Sequence, residues 1–88
     1  MKKELLDILY NQILFFTENG NSNIDNPNFM VQETHKSSGK SRKEVIGLFK
    51  ELTEIGFIEK VPDEEYAYRV KEMMSIEEIK KKRKPNNT

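Results

Sequence analysis

The chain has 88 residues, of which 35% are hydrophobic and 34% charged, and its 15 basic and 15 acidic side chains cancel to a formal charge of zero. That length holds one small domain, and a chain of this size buries only roughly two-thirds of its unfolded surface, so association with a second copy would add useful burial. The absence of cysteine excludes disulfide frameworks and thiolate metal sites and is compatible with a reducing cytoplasm, the expected location.

The first apolar stretch is interrupted by Asp7, Asn11 and Gln12 and lacks a small-residue cleavage site, so neither a signal peptide nor a membrane span is expected. Instead, residues 2–17 predict a helix in which Leu6, Leu9, Ile13 and Phe16 form one stripe and Leu5, Ile8, Tyr10 and Phe15 widen it. So broad an apolar surface predicts two neighbours: the domain core, and either a second copy of the protein or the carboxyl-terminal helix. Residues 19–23, Asn-Gly-Asn-Ser-Asn, read as a loop, and Asn26-Pro27 marks its far side, because the residue before proline is pushed out of helical geometry. Between them, Ile24 is expected to form a brief strand pairing with a hairpin further along.

Pro27 at the first helical position opens a second helix over residues 27–35, with Phe29, Met30, Val31 and Thr34 turned inward. Residues 37–40 form a turn in which Gly39 takes the positive φ. Ser41 and Glu44 then make a capping box, starting a helix at Arg42 whose apolar residues Val45, Leu48, Phe49, Leu52 and Ile55 share one face. Gly56 supplies the left-handed stop. Residues 57–61 and 66–70 read as strands joined by the turn Pro62-Asp63-Glu64-Glu65. Ser75 and Glu78 form a second capping box for a last helix carrying Ile76 and Ile79, and the chain is expected to be disordered after Pro85. The fold class is therefore mainly α with a small β-hairpin, α+β.

Ser41, Leu52, Gly56, Phe57 and Ile58 resemble the winged helix-turn-helix DNA-binding family, whose members often carry a serine before the recognition helix and a Leu-x-x-x-Gly-hydrophobic-Ile exit into the wing. The resemblance spans residues 34–70. It implies a three-helix core plus wing and a short carboxyl-terminal helix, with a winged-helix domain over residues 1–72, a basic amphipathic helix over 73–84 and a disordered tail over 85–88. It also implies binding to double-stranded DNA, with residues 42–55 as the major-groove helix.

Charge is polarised along the chain. Residues 36–50 hold Lys36, Lys40, Arg42, Lys43 and Lys50 against Glu44, whereas residues 51–65 hold Glu51, Glu54, Glu59, Asp63, Glu64 and Glu65 against Lys60. Lys80 to Lys84 form a second basic block. With the apolar stripe of residues 45–55 inward, the opposite face holds Lys43, Gly47, Lys50 and Glu54, flanked by Arg42 and Ile46. Gly47, in mid-helix, either permits close approach of a phosphate or base edge or is simply tolerated there.

Arg42 and Lys43 occupy the turn that faces base edges in this motif, and arginine can pair bidentately with guanine. Lys36, Ser38, Lys40 and Ser41 suit phosphate contacts beside the free amides of a helix start. Lys60, Arg69, Lys80, Lys81, Lys82 and Arg83 are further candidates for backbone contacts. The hairpin tip is acidic, so phosphate would repel it, unlike the basic wing tips common in the family. A homodimer is expected, joined through Leu5, Ile8 and Phe15 of the first helix or Met73, Met74, Ile76 and Ile79 near the end.

Catalysis is not expected. His35 has no cysteine or second histidine to complete a metal site, the serines suit caps and turns, and Gly39-Lys40-Ser41 lacks the earlier glycine and strand of a phosphate-binding loop. No cofactor or metal is called for. The expected function is thus a small dimeric transcriptional regulator or replication accessory factor, and its size and Asn/Lys/Ile-rich style suit a mobile element. The alternative is a protein-interaction module that uses the acidic hairpin tip and the apolar first helix without touching DNA. A single-stranded nucleic acid ligand would require Tyr66 and Tyr68 to point outward together.

Overall fold

A computed structural model describes residues 4–83. Within them lie four helices and one small antiparallel sheet: α1 (Leu5–Phe16), α2 (Pro27–Ser38), α3 (Arg42–Glu54), β1 (Ile58–Lys60), β2 (Tyr68–Val70) and α4 (Ile76–Arg83). The architecture is α+β and mainly helical. None of these helices is long and apolar enough to cross a membrane. The expected disorder of residues 85–88, and Lys84, fall outside the described residues, as does the start of the predicted first helix.

Helix α1 buries Leu6, Leu9 and Ile13. It ends where the Thr17 hydroxyl donates to the Ile13 carbonyl at 2.7 Å, and Glu18, Asn19 and Gly20 then take positive φ angles of 51°, 60° and 92°. The asparagine-rich segment after it is a loop, as its composition implies. Gly20 is also a close approach: a Cβ there would lie 2.9 Å from the Met73 methyl. Ile24 forms the expected strand contact, its N–H donating to Tyr68 O at 2.6 Å and its carbonyl accepting from Tyr68 N at 3.0 Å. The Ile24 bridge flanks β2 opposite β1.

Helix α2 starts at Pro27 with Asn26 as cap, its side chain accepting from Phe29 N. It runs to Ser38, beyond the predicted end at 35, because the ordinary helical geometry continues until Gly39, at φ 74°, closes it by donating to the His35 carbonyl at 3.0 Å. Met30, Val31 and Thr34 are buried, but Phe29 is 53% exposed. At about 100° per residue, an inward arc centred between Met30 and Val31 leaves Phe29 on the outer flank, where its ring meets Phe16 edge-on at 5.9 Å.

Both capping boxes form. Ser41 Oγ accepts from Glu44 N at 3.1 Å while Ser41 N donates to Glu44 Oε1 at 3.1 Å; Ser75 and Glu78 do the same at 3.2 and 3.0 Å. Helix α3 buries Val45, Leu48, Phe49 and Leu52, and Gly56 follows with φ 91°. The strands are three residues each rather than five, in register Ile58↔Val70, Glu59↔Arg69 and Lys60↔Tyr68. The predicted strand residues Phe57, Val61 and Ala67 still bond, Val61 N to Ala67 O at 2.9 Å and Phe57 O to the N–H of Lys71, beyond the predicted strand, at 2.8 Å, but they lie outside the regular ladder. The tip at 62–65 is a turn as expected.

Helix α4 corrects one expectation. Ile79 is 0% exposed and belongs to the same core as Leu9, Ile13, Val45, Leu52 and Phe57, and Met74 is buried with it. Neither can form a dimer contact while α4 stays docked, since the intramolecular core already consumes them. Tyr10 reinforces the docking: its hydroxyl donates to the Met74 carbonyl at 2.6 Å and its ring stacks on Phe57 at 5.5 Å. Burial, then the nearby Glu77 and Glu78 carboxylates, raise the Tyr10 pKa, which keeps this donor protonated.

Two substitutions test this core with opposite signs. Ile79→Ala should destabilise the fold by roughly 2–5 kcal/mol, read as a lowered midpoint in a urea melt. The Thr34 hydroxyl is buried without a hydrogen-bond partner, so Thr34→Val should stabilise by about 1 kcal/mol, raising the same midpoint.

Candidate nucleic-acid interface

The α2–α3 corner is set by three local devices. Gly39 reverses the chain, Ser38 Oγ accepts from Lys40 N at 3.0 Å, and His35 Nδ1–H donates to the Lys40 carbonyl at 2.6 Å. A carbonyl only accepts, so this contact places the proton on Nδ1 when the ring is neutral. The sequence marks His35 only as a histidine without partners for a metal site; its position five before Lys40 is the trace of its role in closing the turn. Gln32, likewise unmarked in the sequence, holds the Arg42 guanidinium through its side-chain oxygen.

Because α3 turns Val45, Leu48, Phe49 and Leu52 inward, Lys43, Ile46, Gly47 and Lys50 face solvent on its other side. Lys36, Lys40, Ser41 and Arg42 are exposed beside them, and Ser38 is half-buried. Of the sequence-derived candidates of residues 36–50, all but the half-buried Ser38 are thus exposed, at the α2–α3 corner or along α3. Gly47 has open space where a side chain would stand.

The cations further along behave differently. Among the described residues the ion pairs are Arg69 with Glu59 and Arg83 with Glu51, each at 2.7 Å. Lys60 is also engaged, its ammonium donating to the Glu64 and Glu65 carbonyls at 3.0 and 2.6 Å. These three residues, considered above as backbone contacts, are held by internal partners. Lys80, Lys81 and Lys82 are exposed on α4.

The acidic residues of α3 are engaged in a complementary way. Glu44 is hydrogen-bonded to the cap, Glu51 is neutralised by Arg83, and Glu44 and Glu54 are exposed without an ionic partner among the described residues. Among the described residues, Lys36, Lys40, Lys43 and Lys50 have no carboxylate within ion-pairing distance. The α3 surface is thus more positive in the fold than its sequence alone suggests. This arrangement also runs against helix stability: Arg42 and Lys43 sit at the positive end of the helix dipole, and Gly47 interrupts it. Departures from local preference of this kind concentrate at functional or strained sites.

Elsewhere, an open groove of about 630 Å³ lies between the start of α2 and the hairpin tip, lined by Asn28, Lys60, Tyr66 and Tyr68 among others. Tyr66 projects from it, whereas Tyr68 is half-buried with its ring edge-on to Phe49 at 4.9 Å. The two rings do not stand outward together. No trio of His, Asp or Glu side chains among the described residues is grouped to hold a metal ion. No protein-family model, curated protein or solved structure matches this chain.

Gly47 gives a direct test of the local-strain account. Gly47→Ala should raise stability by up to about 1 kcal/mol, since the added methyl enters open space, and a chemical melt that shows a loss instead would reveal a tight contact at that face.

Proposed function

We propose that this chain is a winged helix-turn-helix protein that binds double-stranded DNA, with α3 in the major groove, acting as a small transcriptional regulator or replication accessory factor without catalytic activity. The observation that carries the proposal is the set of exposed lysines, Lys36 and Lys40 beside the α2–α3 corner and Lys43 and Lys50 along α3, that have no ionic partner among the described residues. Three features of the fold support the motif: a Gly39 corner between α2 and α3, a hairpin directly after α3, and Ile24 pairing with the second strand of that hairpin.

In this reading Arg42 and Lys43 reach base edges, and Gln32 pre-orients the Arg42 guanidinium. The exposed Ile46 suits the methyl group of thymine. Lys36, Lys40 and Lys50 meet phosphates, while Ser38 and the capped amides of α3 fix the register. Gly47 lets the helix approach closely. The acidic tip, with Lys60 committed to its own carbonyls, stays away from the duplex.

A second reading, docking of a protein partner on that tip, is favoured by one observation: Asp63, Glu64 and Glu65 are all exposed. Charge reversal separates the two. Retention of duplex DNA by the wild type should fall steeply with salt, by a log–log slope of about −0.9 for each phosphate neutralised. Lys43→Glu with Lys50→Glu should abolish that retention, and sequencing of retained genomic fragments should return a recurring site. Absence of binding by the wild type at low salt would overturn the DNA reading and leave the acidic tip as the working surface.

A further inference from the structure

Residues 8–17 contain no charged side chain, in a chain where 34% of residues are charged. Part of that stretch is core, since Leu9 and Ile13 are buried, but its other side is not covered. Phe15 is 76% exposed, Asn11 is exposed, and Ile8 and Gln12 are half-buried beside them, together lining a shallow concavity. The patch continues through edge-on rings, Phe15 to Phe16 at 5.6 Å and Phe16 to Phe29 at 5.9 Å. The exposed rings of Phe15 and Phe29 are thus bridged by the half-buried Phe16, and apolar surface grouped in this way suits an interaction surface better than single scattered residues do.

We propose that this face of α1 is covered by the same face of a second copy, packed antiparallel about a twofold axis. Complementarity argues for self-pairing. An isologous contact sets each group near its own kind, which repels for charges but suits carboxamides, because an Asn or Gln side chain both donates and accepts. Here the middle of the face is Asn11 and Gln12, and its ends are the apolar Ile8 and Phe15. Spacings of three and four residues keep these positions on one helical stripe, as a helix–helix seam requires.

The direction follows from the ends of α1. Glu4 and Asp7 stand at its start, so a parallel pair would bring four carboxylates together, whereas an antiparallel pair separates them and places Ile8 against Phe15 of the partner subunit. Antiparallel helices also align their dipoles favourably. The axis then passes between Asn11 and Gln12. Sites on two α3 helices joined in this way would be related by the same twofold.

The absence of native cysteine makes a single-cysteine test clean. Sedimentation equilibrium across the micromolar range should give a mass approaching twice that of one chain, and Phe15→Glu should shift it to the monomer by raising the dissociation constant at least about tenfold. Phe15 contributes little to the intramolecular core, so the circular dichroism melt of that variant should match the wild type; should it fail to fold, Asn11→Arg, at an exposed position, serves the same purpose. Oxidation of Asn11→Cys should give a covalent dimer far faster than Lys71→Cys, a solvent-exposed control. A monomer at every concentration, or a dimer that survives Phe15→Glu with no selective Asn11→Cys cross-link, would overturn the proposal. Loss of the dimer in Phe15→Glu without that cross-link would overturn the antiparallel arrangement. Each outcome is independent of DNA: a monomer that still binds duplex leaves the DNA-binding proposal standing, and a dimer that binds none removes only that proposal.

Discussion

Burial of the apolar stripe of α3 is the constraint on which the rest of the molecule depends. Val45, Leu48, Phe49 and Leu52 can be removed from water only against α1, α2 and the hairpin at once, because a chain this short has no second core. Once they point inward, the helical period forces Lys43, Gly47 and Lys50 outward, and the polar face needs no separate device to present it. The Gly39 corner with its His35–Lys40 bond sets how α2 meets α3 and leaves Lys36 and Lys40 exposed beside it. Presentation of the cationic face is therefore a by-product of packing.

The zero net charge is not a neutral surface. Of the three α3 carboxylates, the fold engages two, Glu44 with the backbone of its cap and Glu51 with Arg83, and leaves Glu54 exposed on the face of Lys43 and Lys50. An exposed ion pair such as Arg83–Glu51 adds little to stability, on the order of 0–1 kcal/mol. Its larger consequence is electrostatic, since it removes a negative charge from beside the face that an anionic ligand would meet. The hairpin has the opposite arrangement, with Arg69 and Lys60 turned to internal partners and the acidic tip left free. Surface polarity is thus sharpened by which residues pair, more than by which residues are present.

Stability and presentation conflict along α3. Two cations in the first turn oppose the helix dipole and a glycine loosens its middle, while a capping box and four buried residues compensate. The same conflict is absent from α1, whose exposed face carries uncharged groups and a largely uncovered phenylalanine. The two helices present surfaces of different chemistry: one carries exposed lysines, the other apolar and carboxamide side chains.

What the sequence determined by itself was local. Both capping boxes, the left-handed glycines at 39 and 56, the proline start of α2 and the loop after α1 depend on neighbours within about four residues, and the side chains that make them are chemically distinctive. Even the Ile24 bridge was legible, as a lone apolar residue between turn signals. The face of α3 was legible too, because a period of 3.6 residues fixes which side chains share a side. Tertiary structure decided the rest. Whether Ile79 faces a second copy or its own core depends on where α4 lands, which no residue near it encodes; Arg83 finds Glu51 from 32 residues away, and Gln32 finds Arg42 only once the corner is formed. Phe29 lies outward because a helix has room for one inward arc, and the choice of arc was made by the packing of α2 against α1 and α3. Contacts between distant residues gain nothing until the whole chain is folded, so their identity is a property of the assembled core and not of any segment within it.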